Sequence, residues 1–196
     1  MDLVQKVQSI LLKPKEEWVR IKGESATVAD LFMSYAMVLA AIPAVSQLLG
    51  NVLIGHRLPF VGYYKWSVGR ALSSAVFTYL FSLAAVYLFA LIINALAPNF
   101  ASPQNMTSAL KLAVYSMTPG WVAGIFYIIP ALSILGILAG LYGLYILYLG
   151  FETPMMDTPK EKIMPYLGVS VLVAIGLYVI LGLILGAIFA VRYSAL

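Results

Sequence analysis

The sequence predicts an all-α polytopic membrane protein, a bundle of five transmembrane helices preceded by an amphipathic N-terminal segment. Its 196 residues are 62% hydrophobic and only 10% charged, whereas soluble domains carry about 45–50% apolar and about 25% charged residues. The apolar residues form stretches of about 20 or more, the length that crosses about 30 Å of hydrocarbon. Only short loops remain outside them, so one membrane domain at 31–196 follows a tail at 1–30.

The tail has the spacing of short amphipathic helices. Leu3, Val7 and Ile10 recur at helical intervals, and Pro14 can open a second helix that contains Trp18. Such a tail either lies on the inner leaflet or covers the ends of the bundle. Its five acidic and five basic side chains balance, so weak electrostatic attraction to anionic lipid is expected.

The first two spans are predicted at residues 31–54 and 68–97. Thr27 and Asp30 have the spacing of a capping box immediately before the first span, which would satisfy backbone N–H groups at the helix start. The second span is about 30 residues long, so we expect it to tilt or to protrude into the interface. The loop between the spans, at 56–66, suits an interfacial segment.

The remaining spans are predicted at residues 109–129, 131–151 and 164–191. Pro119 interrupts the third span, and the fourth follows at once, so the two form a tight helical hairpin. Before the fifth span, the sequence from Thr158 to Glu161 places proline and an acid in a first helical turn, which predicts a helix start near Thr158. Pro165 would then bend this helix.

Lysine and arginine placement predicts the orientation of the bundle. With the N-terminus inside, eight basic residues fall on the cytoplasmic side and four on the outer side. Because cytoplasmic loops carry an excess of Lys and Arg, five spans then place the N-terminus in the cytoplasm and the C-terminus outside.

The composition argues against catalysis and cofactors. Every Lys, Arg, Asp and Glu falls at or beyond a span end, which disfavours a pump with a buried titrating carboxylate. The chain has no cysteine and one histidine, His56, so it has few of the side chains that bind metal ions or form a nucleophile–base pair. No phosphate-binding, zinc-protease or hydrolase motif is present. We predict no enzyme, no cofactor, no metal and no nucleic-acid partner.

Polar side chains inside the spans define a candidate pocket beside the third helix. They must face other helices or water, because lipid cannot satisfy their hydrogen bonds. One interpretation is hydrogen bonding between helices, and the other is a hydrophilic pocket that converges on the broken span. The candidate residues are Ser46, Gln47, Asn51, Thr78, Ser116, Thr118 and Pro119.

Glycine pairs form a second pattern. Three pairs have the G-x-x-x-G spacing that lets helix backbones approach closely, either within the bundle or in a homo-oligomer. They are Gly120 and Gly124, Gly136 and Gly140, and Gly182 and Gly186.

Several strings resemble the Yip family, five-span membrane proteins named in eukaryotes for interaction with Ypt/Rab GTPases, and in particular its bacterial inner-membrane branch. They are LKPKEEW at 12–18, AAIP at 40–43, SMTP at 116–119, LYILYLG at 144–150 and TPKEK at 158–162. The resemblance implies a cytoplasmic N-terminus, an outer C-terminus and a role in membrane organisation or protein interaction. The D-L-Y-G-P type motif of eukaryotic members is absent, so Rab binding is not implied.

Two functional hypotheses follow. The first is a non-enzymatic bacterial inner-membrane protein that organises lipids or partner membrane proteins. The candidate contacts on its cytoplasmic side are Trp18, Glu152, Thr158, Pro159, Lys160, Glu161 and Lys162. The second is a small transporter or channel that uses the polar faces of spans one to three.

Overall fold

A computed structural model describes residues 2–58 and 62–194 of the chain. Within these residues the fold is helical apart from one short β-hairpin, in agreement with the predicted all-helical class. Two short helices open the chain, α1 at Leu3–Leu12 and α2 at Pro14–Gly23. Pro14 occupies the first turn of α2, as predicted, because proline lacks the N–H that a first turn leaves unpaired.

The first long helical segment runs from Val28 to Ile54 with two changes of pitch. It consists of α3 at Val28–Leu31, a π-helical turn at Phe32–Ala36, α4 at Met37–Leu49, and a second π-helical turn at Gly50–Ile54. The predicted capping box is confirmed at its start. The Asp30 amide donates to Thr27 Oγ1 at 3.1 Å and the Thr27 amide donates to Asp30 Oδ2 at 3.0 Å.

A tight hairpin then turns the chain back. Strands β1 at His56–Leu58 and β2 at Gly62–Tyr64 pair antiparallel. Gly55, just before β1, has a φ of 77°, which glycine adopts at little steric cost because it has no Cβ. The hairpin leads into α5 at Val68–Leu96, close to the predicted second span.

The second half of the chain contains a broken helical segment and two long helices. A 3₁₀ turn at Ala97–Phe100 precedes α6 at Met106–Ser116, α7 at Thr118–Ala123 and another 3₁₀ turn at Gly124–Ile128. A short 3₁₀ turn at Pro130–Leu132 then connects to α8 at Ile134–Glu152, and α9 occupies Lys160–Ser194. As the sequence indicates, the predicted third span is interrupted at Pro119, which lies in the first turn of α7.

Among the residues that the structure describes, four helical segments are long and apolar enough to cross a membrane. They are Val28–Ile54, Val68–Phe100, Pro130–Glu152 and Lys160–Ile180. The region of the predicted third span lacks a continuous helix of that length, because α6 ends at Ser116 and α7 has only six residues. Length and composition therefore identify four candidate spans in the described residues, and the predicted count of five is not confirmed.

The broken segment runs alongside the first long helix and in the same direction. Tyr35 near the start of that helix contacts Thr118, with 2.8 Å between the two hydroxyl oxygens. Further along, Pro43 packs against Gly124, and Gly50 packs against the backbone of Tyr127. Residues 115–128 therefore run parallel to residues 35–50 and contact them at successive positions.

The core lies mainly at the end of the bundle that carries α1 and α2. Its large, fully buried side chains include Trp18, Phe151 and Tyr166. The Phe151 and Tyr166 rings meet edge to face with centroids 4.9 Å apart. Elsewhere α5, α8 and α9 expose apolar side chains such as Leu80, Ile137 and Leu172, as expected for surfaces that hydrocarbon would cover.

Candidate functional site: the tail face

The N-terminal tail is docked on the helix bundle through its apolar side. Ile10, Trp18 and Ile21 are fully buried. The Trp18 indole Nε1 donates a hydrogen bond to the carbonyl oxygen of Ile146 at 2.9 Å, and Tyr142 on the same helix donates its hydroxyl to the carbonyl of Leu11 at 2.7 Å. Both helices of the tail are thus fixed to α8.

A glycine makes room for the indole ring. A methyl group placed on Gly150 would lie 2.8 Å from the Trp18 ring and 2.5 Å from Leu112. These distances are shorter than van der Waals contact, so any larger residue at this position would force the ring or the helix to move. The string LYILYLG therefore supplies both the carbonyl that Trp18 binds and the space that it fills.

A buried lysine closes the end of α2. Lys111, on α6, is 5% exposed and donates from Nζ to the carbonyl oxygens of Ile21 and Glu24 at 2.9 and 2.5 Å. The last carbonyls of a helix lack intrahelical partners, and a cation interacts favourably with that end of the helix dipole. Lys111 consequently ties α2 to the broken segment.

Four charged side chains of the tail form an ion cluster. Lys6 lies 2.9 Å from a carboxylate oxygen of Glu17 and 2.6 Å from one of Glu24, while Arg20 lies 3.2 Å from the other Glu17 oxygen. Glu17 is almost fully buried and Lys6 is 7% exposed. A buried carboxylate is tolerated when it is paired in this way, so the cluster requires α1 and α2 to stay together.

Two loops complete the surface. Ser102, in the loop 97–105, donates its hydroxyl to Thr158 Oγ1 at 2.8 Å, and both residues are buried. Asp157 accepts a weaker contact from Lys22 at 3.4 Å. We call the surface formed by α1, α2 and the loops 97–105 and 153–159 the tail face.

A family model described as the Yip1 domain matches residues 9–184. The chain belongs to the Yip1 family. The matched range includes α2, all four long helical segments and the broken segment, so the resemblance that the sequence motifs indicate is confirmed.

Curated relatives of this Yip1-family chain come from Escherichia coli. The inner membrane protein YohC of strain K12 and its counterpart from strain CFT073 are each 27% identical over 124 residues, or 63% of this chain. The match spans 64% of each relative, a little under two thirds of its length. No solved structure matches.

Four residues of the predicted polar pocket form side-chain hydrogen bonds, at three separate places. Thr78 donates to the side-chain oxygen of Gln47 at 3.1 Å, whereas Thr118 pairs with Tyr35. Ser116 donates back to the carbonyl of Ala113 at 3.0 Å. The remaining members are Ser46 and Asn51, both buried on the first long helix, and Pro119, buried in the first turn of α7.

An apolar cavity of about 280 Å³ lies beside the break between α6 and α7. Ser116 is the one member of the predicted polar set that lines it; Gly120 and Gly140 line it too. Phe89, Leu147 and Val171 supply much of its remaining wall. The helix break therefore opens onto an apolar space in this part of the chain.

The predicted glycine positions differ in their surroundings. Gly124 packs closely on Pro43 and Gly136 on Tyr127, whereas a methyl group on Gly120 or Gly140 would meet no atom within 4 Å. Each predicted G-x-x-x-G pair among the described residues therefore has one closely packed member. Gly182 and Gly186 lie in α9 beyond the residues whose surroundings the structure describes.

The predicted cytoplasmic contact residues are not all exposed. Trp18 and Thr158 are buried, Pro159 and Lys162 are half-buried, and exposed positions are Glu152, Lys160 and Glu161. Within the described residues, no group of three or more His, Cys, Asp or Glu side chains is placed to hold a metal ion.

Sequence reasoning missed Lys111 and Glu17 as members of this site. The sequence analysis places Lys111, like every other charged residue, at or beyond the end of a span, but in the structure it is buried against α2. The sequence signal for burial was a lysine about one turn into an apolar helix, in a chain whose N-terminal tail has equal numbers of acidic and basic side chains. That signal does not reveal which carbonyl groups Lys111 meets.

Proposed function

We propose that this chain is a non-enzymatic membrane scaffold that organises partner membrane proteins or lipids through its tail face. The observation that carries the proposal is the docking of α1 and α2, whose buried apolar side chains pack on the bundle. The outward side of the tail is left to contact something else. It carries Leu12, Val19 and Val4, which are 78%, 66% and 58% exposed.

The outward side combines apolar and basic groups on a rigid support. Exposed Lys13 and Lys15 follow Leu12 in the chain. A single exposed hydrophobic residue needs no explanation, but three on a tail whose opposite side is held by Trp18 and Lys111 form a preorganised surface. Preorganisation lowers the entropy that a partner must pay to bind.

We further propose that the chain crosses the membrane five times. Residues 106–128 combine α-helical and 3₁₀ rise over about 35 Å, which exceeds the roughly 30 Å of a hydrocarbon core. The segment runs parallel to the first long helix from Tyr35 to Gly50, so it would cross wherever that helix crosses. The Lys and Arg distribution then favours a cytoplasmic tail face and an outer C-terminus.

The relatives support a place in the bacterial inner membrane, since both are named inner membrane proteins. The pairing of Gln47 with Thr78 and of Thr118 with Tyr35 supports helix packing over a conduction path. These polar groups have their hydrogen bonds with other helices, as interhelical contacts in membranes commonly do.

Site-specific photocrosslinking in native membranes tests the scaffold proposal. A photoreactive residue at Leu12 or Val19 is expected to capture a discrete neighbour, protein or lipid, that mass spectrometry identifies. The matched control is Leu172, which is equally exposed at 68% but lies on α9 away from the tail. Equal, unspecific labelling at all three positions would contradict a dedicated contact surface.

Solute flux in liposomes tests the alternative class of function. We expect the purified chain to release no entrapped ions or small metabolites above protein-free vesicles. Reproducible flux that is lost in Gln47→Leu, but kept in the exposed control Leu80→Ala, would overturn the scaffold proposal in favour of transport.

A further inference from the structure

A second site lies between the tail and the start of the first long helix. This cleft has a volume of about 360 Å³, within the size range of small-molecule sites. Its walls come from α1, from residues 24–26 and from the first turns after Thr27. Its lining residues are Asp2, Leu3, Lys6, Glu24, Ala26, Asp30, Leu31, Ser34, Tyr35 and Tyr115.

The charges of the cleft are unequal. Three carboxylates, those of Asp2, Glu24 and Asp30, face one ammonium group, that of Lys6. Lys6 is engaged by both Glu24 oxygens at 2.7 and 2.6 Å and by Glu17. Within the described residues no salt bridge reaches Asp2 or Asp30.

The other basic side chains near the cleft, Arg20 and Lys111, bind groups of the protein. Arg20 pairs with the far oxygen of Glu17, and Lys111 binds the backbone carbonyls of Ile21 and Glu24. With Glu17 included, four carboxylates lie in or beside the cleft against these two bases and Lys6, and the remaining excess of one negative charge favours a cation.

The floor of the cleft holds an unused buried hydroxyl. Tyr115 is 5% exposed and lines the cleft. No hydrogen bond of its hydroxyl is present within the described residues, and the hydroxyl is not among the fully enclosed unpaired side-chain atoms, which belong to Glu17, Asn94 and Ser170. The neighbouring Tyr35 hydroxyl is occupied by Thr118. A hydroxyl that no protein group occupies is available to accept a hydrogen bond from a ligand in the cleft.

The fold already holds one ammonium group with the same chemistry. Lys6 Nζ lies between two carboxylates and 5.5 Å from the centroid of the Tyr115 ring, a distance at which the face of an aromatic ring attracts a cation. The carboxylate and hydroxyl oxygens of the cleft are hydrogen-bond acceptors. They match a primary ammonium, which donates three hydrogen bonds, better than a quaternary ammonium, which donates none.

We propose that the cleft binds the primary ammonium group of a small ligand, with the charge placed among Glu24, Asp30 and the Tyr115 hydroxyl. The cleft opens where the first segment that is long and apolar enough to cross a membrane begins at Val28, and Met33, 71% exposed, lies five residues further along that segment. This is headgroup depth, so the ligand is either the ethanolamine headgroup of a phospholipid or a free amine from water.

Native mass spectrometry of the full chain tests the lipid source. The protein is reconstituted in vesicles with equal amounts of phosphatidylethanolamine, phosphatidylcholine and phosphatidylglycerol, extracted, and analysed for retained lipid. We expect preferential retention of the ethanolamine lipid. Tyr115→Phe and Asp30→Asn should each lower that retention by about fivefold or more, because each removes a hydrogen bond or a charge that meets the ammonium.

Both substitutions retain the contacts that hold these two positions in the fold. Asn at position 30 can still accept the capping hydrogen bond from Thr27, and Phe at position 115 keeps the ring contacts with Trp18 and Tyr35. Asp157→Asn, which removes a carboxylate of the tail face outside the cleft, should leave retention unchanged. A helix content and elution volume equal to those of the parent confirm folding.

Thermal unfolding in phosphatidylcholine nanodiscs with added ethanolamine tests the free-amine source. A rise in melting temperature with ethanolamine but not with choline, lost in Tyr115→Phe, assigns the site to a water-borne amine when no lipid preference is seen. The proposal is overturned if neither probe is preferred, if choline compounds bind equally well, or if Tyr115→Phe and Asp30→Asn behave like the parent. None of these results depends on whether the outward tail binds a partner, which photocrosslinking tests separately.

Discussion

At the scale of single residues, Trp18 does the most to fix the tail. It is fully buried, it donates to the Ile146 carbonyl, and its ring stands edge to face with Tyr115 at 6.1 Å. These contacts join three separate parts of the chain. The tryptophan in the string LKPKEEW is therefore an internal anchor, and its neighbours Leu12 and Val19 are the groups left outside.

Two substitutions of Trp18 should separate the contribution of its hydrogen bond to stability from the contribution of its buried volume. Trp18→Phe keeps most of the ring and loses the Nε1 donor, so the free energy of unfolding should fall by about 1–2 kcal/mol. Trp18→Ala also leaves a cavity and should cost about 3–5 kcal/mol. Thermal or denaturant unfolding in detergent measures both values.

The control for Trp18 is its exposed neighbour. Val19→Ala should change the stability by less than about 0.5 kcal/mol, as surface substitutions usually do. If Trp18→Ala were as mild as Val19→Ala, the tail would not be docked as the structure has it.

Two glycines on α8 give a second contrast between matched residues. A methyl group on Gly143 would lie 2.6 Å from the carbonyl oxygen of Ser116, whereas one on Gly140 would enter the apolar cavity and meet nothing within 4 Å. Gly143→Ala should therefore destabilise the protein by about 1–3 kcal/mol through overpacking. Gly140→Ala should be neutral or stabilise it by up to about 1 kcal/mol, because alanine favours the helix.

Unfolding of the two variants under the same conditions checks this pair. The comparison is internal, since both substitutions add one methyl group to the same helix. A loss of stability in Gly140→Ala equal to that in Gly143→Ala would mean that α8 packs differently against the broken segment.

At the scale of elements, the tail helices depend on α6 through one side chain. Lys111→Met keeps the length of the side chain but leaves the Ile21 and Glu24 carbonyls without their cationic donor. We expect amide hydrogen exchange in α2 to accelerate by about tenfold or more, because an unpaired buried carbonyl lowers the free energy of local opening. Exchange measured by mass spectrometry on tail peptides reports it directly.

Lys160→Met is the control for Lys111→Met. It removes an equal charge from an exposed position at the start of α9, so exchange in α2 should stay at the parental rate. Unchanged exchange in Lys111→Met would show that the Trp18 and Tyr142 contacts hold the tail alone.

The elements could be predicted from sequence where local rules decide them. Apolar length located the long helices, Thr27 and Asp30 marked a helix start, Pro14 opened α2, and Pro119 marked the break. The π-helical turns beside α4 and the β-hairpin were not predicted, because they depend on packing and on the positive φ of Gly55.

The candidate site was predictable only in part. Trp18 and Thr158 were singled out as outward contacts, but their partners Ile146 and Ser102 lie 128 and 56 residues away in sequence. A pattern read along one chain gives the kind of residue at each position and not the residue it meets. The burial of Lys111 was missed for the same reason.

At the scale of the whole molecule, two features of the fold act together. The closely packed glycines Gly124, Gly136, Gly143 and Gly150 bring the long segments together within one chain. The core lies near the tail, while the opposite half exposes apolar side chains to the surroundings. A bundle built in this way fixes the tail face to the rest of the chain, as the proposed scaffold role requires.

The number of crossings can be decided by single-cysteine labelling, since the natural chain contains no cysteine. We propose single substitutions Leu12→Cys, Ser133→Cys and Lys160→Cys, all at exposed positions, and labelling of intact cells with a membrane-impermeant maleimide. If residues 106–128 cross, Ser133 lies on the side opposite Leu12 and Lys160, so it alone should react from outside. If that segment turns back within the bundle, Ser133 shares the side of Leu12 and both should give the same result. Labelling of permeabilised cells controls for accessibility, and a cytoplasmic tail face would be wrong if Leu12 and Lys160 react in intact cells while Ser133 does not.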